Sequence, residues 1–313
     1  MKINKWSLGF AFALTGLTAY LLLDTFVIPE VYEKDVSQAE EYSLAENTAS
    51  SFEHAPDSSG YAPDTDEYAT DTDNEKSKAE VSDEPVIQVE TYRVNNTNIY
   101  VADILFSSVE YVKTAFAQDT YGRKVTATTS DTAMENNALL AINGDFYGAR
   151  ERGYVIRNGI LYRDTPSDED VLCIYKDGRM EIIDPNKVTA QELIDNGAWQ
   201  AFSFGPGLLE DGEILVDTRD EVGLAMASNP RTAIGMIDEN HYVFVVSDGR
   251  TSDNEGLSLY ELAGFMKELG VTTAYNLDGG GSSTMVYEGE IINTPTSGRH
   301  TNERSVSDIV YIG

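Results

Sequence analysis

The stretch "AYNLDGGGSSTMVYEGE", residues 274–290, runs as an apolar strand into one carboxylate, Asp278. It then spends Gly279, Gly280 and Gly281 in a row, adds Ser282 and Ser283, and resumes as a strand. Glycine inside an ordered element costs roughly 0.5–1 kcal/mol relative to alanine, so three at a strand end require something close to the backbone. Two readings fit. One is a tight strand-to-strand turn; the other is a nest of successive N–H groups aimed at an anion, with the two serine hydroxyls as further donors.

Working outward, strand signals dominate. "VIQVETYRV" and "NIYVADILF" alternate and are rich in β-branched residues, as half-buried strands are. "GYVIRNGILYR" turns at Asn158-Gly159, "VLCIYKDGRMEII" at Asp177-Gly178 and "TMVYEGEIIN" at Glu288-Gly289, each a hairpin signal. "RTAIGMIDENHYVFVVSDG" reads as another hairpin and "SVSDIVYIG" as a closing strand. Helices are few. "TSDTAMENN" predicts a short one, and Thr189 with Glu192 and Ser258 with Glu261 form capping boxes. Behind the second box Leu259, Leu262, Phe265, Met266 and Leu269 recur at helical spacing until Gly270 stops the helix. The expectation is an α+β domain over 86–313, a β-rich mixed sheet with two or three short helices.

The chain before it is different. Lys2 and Lys5 precede an apolar run from Trp6 to Leu23, which "TFVI" extends past Asp24. A spanning helix needs about 20 apolar residues, and lysines before it with acids after it orient the remainder outside. Residues 1–29 are therefore expected to be a single-pass signal anchor in the cell membrane, with the C-terminal domain extracytoplasmic; a cleaved signal peptide is the competing reading. Residues 30–90 hold 18 acidic residues against three lysines, so 30–85 is expected to be a disordered acidic stalk. The net charge of −31 repels nucleic acid, which is excluded as a partner. A lone cysteine, Cys173, and three scattered histidines leave no intrachain disulfide, Cys-based zinc site or histidine metal cluster.

Six motifs occur in order: "AINGDFYG" (141–148), "FSFGPGLLEDG" (202–212), "NPRTAIG" (229–235), "VSDGR" (246–250), "YNLDGGGSST" (275–284) and "NERSVSD" (302–308). Together they resemble the phosphodiester glycosidase family, whose bacterial members include exopolysaccharide-related proteins. The resemblance covers nearly all of 86–313 and implies cleavage between a sugar anomeric carbon and an esterified phosphate, hence a phosphate-containing glycan as partner. Members often have glycine where Asp145 stands.

Such a reaction releases a phosphate monoester, whose second pKa is about 6, so one carboxylate plus arginines can replace the usual carboxylate pair. Asp278 is the expected nucleophile or base, although an Asp that simply forms the turn fits the same position. Arg231 and Arg304 are candidate phosphate clamps or plain ion pairs. Asp145 and Asp248 are candidates for a second carboxylate. Asn143, Gly144, Asn276, Gly279, Gly280, Gly281, Ser282, Ser283 and Gly205 are expected to contact substrate, with strand capping the plain reading of the two asparagines. No cofactor is expected; Asp248, Asp253 and Glu255 are oxygen ligands suited to Ca2+, or an acidic solvated loop. A glycan-binding module without turnover and a phosphodiesterase cutting P–O are the rival functions.

Overall fold

The computed structural model describes residues 5–32, 84–220, 228–298 and 300–313. Most of the expected stalk, 33–83, lies outside the described residues.

Three antiparallel sheets enclose one core. The first has seven strands in the order Glu213–Ile214, Gly207–Glu210, Thr273–Asn276, Arg231–Asp238, His241–Ser247, Thr97–Leu105 and Val86–Val94. The second has five: Met180–Ile183, Val171–Tyr175, Ala198–Phe202, Val155–Arg157 and Ile160–Arg163. The third also has five: Glu290–Ile291, Met285–Tyr287, Leu140–Asn143, Asp308–Ile312 and Val112–Phe116. Every pairing within them is antiparallel, so the expected mixed sheet is corrected in strand direction. Hairpins, which are antiparallel by construction, join six of the neighbouring pairs, Val86–Val94 with Thr97–Leu105 and Arg231–Asp238 with His241–Ser247 among them.

The inner faces meet in a shared cluster that includes Ile104, Leu140, Ile174, Phe202, Phe244, Tyr275 and Val310. Each outer face is then covered by one short helix. Leu259–Glu268 lays Leu259, Leu262, Phe265 and Met266 on the first sheet, each buried side chain contributing about 1.5–3 kcal/mol. Ala190–Asp195 packs on the second and Thr129–Glu135 on the third. Both expected capping boxes form. Asn158-Gly159 and Glu288-Gly289 take positive φ at both residues, as a two-residue hairpin requires.

The expected anchor forms a helix, Lys5–Phe26. Among the described residues, however, no helix is long and apolar enough to cross a membrane. Just past the helix the chain lies against the folded unit. Glu30 and Val31 pair with Arg123 and Gly122, and Tyr32 N donates to Tyr121 O at 3.0 Å. Lys124 Nζ donates to Asp24 O at 2.6 Å, satisfying a carbonyl that the helix end leaves open. Gly122 is required here, because a Cβ would stand 2.3 Å from Glu30 O. Gly122→Ala should therefore release this strap while the three sheets stay folded; faster amide exchange at Glu30 and Tyr32 with unchanged exchange in 231–247 would show it.

Candidate active site

The glycine turn joins the first sheet to the third. Strand Thr273–Asn276 ends, the chain passes Asp278, turns through Gly280–Ser282 and enters strand Met285–Tyr287. The turn is packed by its own protein. Gly280 N donates to Pro230 O at 2.8 Å, Ser282 N to Gly279 O and Ser283 N to Gly280 O, both at 3.3 Å. Three of the five amides are thus spent internally, which favours the tight strand-to-strand turn over a continuous anion nest. The bare backbone has a steric cause instead. A Cβ on Gly279 would stand 2.9 Å from Pro230 O, and one on Gly280, which has φ +63, 2.8 Å from Arg250 Nη2. A Cβ on Gly281 would lie 3.3 Å from Thr296 O.

Asp278 is 7% exposed. Ser282 Oγ donates to its Oδ2 at 2.5 Å, and Arg304 Nη2 reaches the same oxygen at 3.2 Å. Arg304 also donates to Ser282 Oγ through Nε at 3.0 Å and Nη2 at 2.5 Å. Burial pushes the Asp278 carboxyl above the usual range, while Ser282, Arg304 and then Arg150 pull it back. The Arg304 side chain is 44% exposed, so a guanidinium open to solvent sits on a buried carboxylate.

Two more arginines pack against the turn. Arg250 donates to Asn229 Oδ1 through Nε at 3.0 Å and Nη2 at 2.8 Å, with its guanidinium over Gly280. Arg231 is buried beneath Gly279, and its Nε donates to Leu257 O at 2.8 Å. Of the two expected clamps, Arg304 is open to solvent, while Arg231 is buried beneath the turn.

The remaining candidates divide. Asn143 is fully buried: Nδ2 donates to Asp278 O at 2.6 Å, and Oδ1 accepts from Thr232 Oγ1 at 2.8 Å and Thr284 N at 3.2 Å. It stitches the first sheet to the third under the site, as a strand cap would. Asn276 Nδ2 donates to Gly205 O at 2.8 Å, while its buried Oδ1 has no partner among the described residues. Gly205 lines a cavity beside that strand.

The expected second carboxylates are occupied elsewhere. Asp248 accepts from Thr294 N at 2.7 Å and Tyr100 Oη at 3.2 Å. Asp145 accepts from Tyr147 N, Ser203 N and Arg157 Nη2 at 3.1, 2.9 and 2.9 Å. Both are 1% exposed, which places them in the scaffold and away from solvent. Among the described residues no three His, Cys, Asp or Glu side chains gather in a group that could hold a metal, Asp248, Asp253 and Glu255 included.

Three residues important here were not singled out in the sequence. Arg157 Nη2 bridges Asp145 and Asp308, at 2.9 and 2.8 Å, with all three buried. Arg150 is the third, and its only sequence signal is a basic residue two positions beyond the "AINGDFYG" motif. Arg157 lies inside a strand pattern that reads as ordinary, and Asp308 closes the motif "NERSVSD" with no role assigned to it there.

These residues fall within a known family, since the family model for phosphodiester glycosidases matches residues 136–313. The chain belongs to the phosphodiester glycosidase family. It is 30% identical over 188 residues to the SPbeta prophage-derived uncharacterized protein YomE of Bacillus subtilis (strain 168), covering 58% of this chain and 28% of that protein. It is 29% identical over 210 residues to N-acetylglucosamine-1-phosphodiester alpha-N-acetylglucosaminidase of Mus musculus, covering 61% and 40%. The chain thus spans less than half the length of either relative. In structure it resembles the zebrafish N-acetylglucosamine-1-phosphodiester alpha-N-acetylglucosaminidase catalytic domain auto-inhibited by pro-peptide, at TM-score 0.58 and 22% identity over 73% of this chain and 82% of that one. A hypothetical protein from Synechocystis shares the fold at TM-score 0.55 and 14% identity, over 73% and 62%.

Arg157→Leu should cost about 3–5 kcal/mol, because it leaves two buried carboxylates without their cation; denaturant unfolding measures it. Gly144→Ala should cost about 3 kcal/mol by overpacking, since its Cβ would fall 2.2 Å from Asp308 Oδ1.

Proposed function

We propose that the domain hydrolyses sugar-1-phosphodiesters in cell-surface glycans, cleaving the bond between the anomeric carbon and the phosphate oxygen. The observation that carries this is a single buried carboxylate at a strand end, Asp278, held by Ser282 and Arg304 and flanked by further arginines. Asp278 acts as nucleophile, or as base on the attacking water. Arg304 faces the departing phosphate, whose charge a guanidinium matches in fork geometry. Because a phosphate monoester leaves without needing a proton near neutral pH, no second carboxylate is required.

Family membership supports the reaction class, and the mouse relative is named for an N-acetylglucosamine-1-phosphodiester activity. An extracytoplasmic setting draws on the sequence alone, from Lys2 and Lys5 ahead of an apolar run.

The raised Asp278 carboxyl sets the sign of the pH dependence. Activity needs the ionised form, so the acid limb of kcat/KM should lie above the ordinary carboxylate range. Arg304→Ala removes a group that lowers this pKa. It should move that limb to higher pH and reduce kcat/KM about 100-fold at neutral pH. A limb that stays in place would show that Arg304 does not act on the reacting carboxylate.

For the reaction itself, free sugar released from a sugar-1-phosphodiester is the readout, and Asp278→Asn should lower it by about 1,000-fold or more. In 18O-labelled water the label should enter the sugar; label in the phosphate would mean P–O cleavage. Glycan binding with no release by the parent protein would favour a binding module instead.

A further inference from the structure

Arg304 reaches Asp278 from an open position. Its side chain is 44% exposed, yet it contacts Asp278 Oδ2 at 3.2 Å and Ser282 Oγ at 2.5 and 3.0 Å. An exposed ion pair adds little by itself, and a long side chain loses rotamer freedom when it is held in one place. The aim of Arg304 therefore depends on how its own backbone is fixed.

The residue before it does much of that fixing. Glu303 is bonded to the start of the helix Thr129–Glu135: Ser130 N donates to its Oε1 at 3.1 Å, and Ser130 Oγ donates to its Oε2. Ser130 N is one of the amides that a helix start leaves open, since the N-cap hydroxyl of Thr128 accepts from Asp131 N instead. On the other side of Arg304, Val306 N donates to Ala127 O at 2.8 Å and Ala127 N to Val306 O at 3.1 Å. Arg304 thus leaves the chain between two anchors that share one short stretch, 127–130. That stretch leads into a helix packed on the third sheet.

The bonds to Ser130 have a second effect. A carboxylate beside Arg304 in sequence is a natural rival to Asp278 for its guanidinium. Both Glu303 oxygens are engaged by Ser130, and the guanidinium goes to Asp278 and Ser282.

We propose that Glu303 is the positioning residue for Arg304: bound to Ser130, it fixes the backbone from which Arg304 reaches Asp278, and it is withheld from pairing with that arginine itself. The use of Arg304 against a departing phosphate rests on the sugar-phosphodiester reading above. Its placement on Asp278 does not, so the two can fail separately.

The test reads the ionisation of the Asp278 carboxyl by carbon-detected NMR titration of the full-length chain, with no substrate present. Ser282, Arg304 and Arg150 act on that carboxyl, with Arg231 beneath Gly279, Arg250 over Gly280 and Asp308 against Gly144. Arg304 lowers its pKa. Glu303→Ala frees Arg304 from one anchor, so the titration should move to higher pH, in the direction of Arg304→Ala and by less. A carboxylate acting only as a nearby negative charge gives the opposite sign, because its removal eases ionisation of Asp278. Glu303→Gln keeps a carbonyl oxygen for one Ser130 donor and should restore part of the shift. Ser130→Ala, made on the other partner, should reproduce part of it. In an Arg304→Ala background, Glu303→Ala should move the titration no higher. With sugar release as the readout, Glu303→Ala should lower kcat about tenfold and leave KM nearly unchanged. An Asp278 titration that stays in place or falls in both Glu303→Ala and Ser130→Ala overturns the inference. The expected shifts with no sugar released by the parent protein uphold the positioning role and sink the hydrolase reading instead.

Discussion

Arg157 is the pin on which the site depends. It is fully enclosed, it lies in the second sheet, and it grips Asp308 of the third sheet and Asp145 of the loop between. Its guanidinium also lies 4.4 Å from the Phe202 ring centroid and donates to Ala201 O. Burying such a network gains little net energy but makes the loss of one partner costly. The geometry passes straight to the candidate site: Gly144 N donates to Asp308 O at 2.9 Å, and Asp278 N donates to Gly144 O at 3.2 Å. Asp308, raised to about 7 by burial, is held down by Arg157 and pushed up by Asp145. An acid with a raised folded pKa keeps a proton that the unfolded chain has released. Its contribution to stability is therefore full below the ordinary carboxylate pKa and lost as pH rises toward 7.

Much of the fold was legible because its signals are local. Two-residue turns declare themselves as Asn-Gly or Glu-Gly, and the helix over the first sheet shows its cap, its apolar face and its stop between Ser258 and Gly270. Strand direction was less legible, since it depends on which distant segments pair. The pairing of Arg157 with Asp308 was hidden for the same reason: each looks like a polar residue on a strand until the second and third sheets bring them together. The strap at Glu30–Val31 was hidden by composition, because an acidic stretch gives no hint that two residues of it find an open strand edge at Gly122.

Of the two readings of the glycine turn, packing favours the tight strand-to-strand turn. Side chains are excluded there, as the sequence suggests, but what excludes them is the Pro230 carbonyl, the Arg250 guanidinium and the Thr296–Ser297 strand. Glycine lets those groups close in until Arg304 and Ser282 can share one oxygen of Asp278. Its contribution to the site is thus convergence of side chains around a carboxylate, with the main-chain amides largely used to hold the turn.

That convergence bears on why the proposed reaction needs one carboxylate. Asp145 and Asp248 look like partners for Asp278 in the sequence, yet each is sealed into hydrogen bonds that a reacting acid would have to break. A glycosidase that expels an alkoxide could not function so, because its leaving group must be protonated. A phosphate leaving group changes the requirement from a proton to a positive charge. The surroundings of Asp278 supply that charge, with Arg304 in contact, Arg250 over the turn and Arg150 within electrostatic reach. Arg304 and Arg150 also oppose the burial that raises the Asp278 carboxyl. In the proposed reaction, cations that favour departure of the phosphate thus also pull the attacking carboxyl back toward its ionised form, and one set of residues serves both demands.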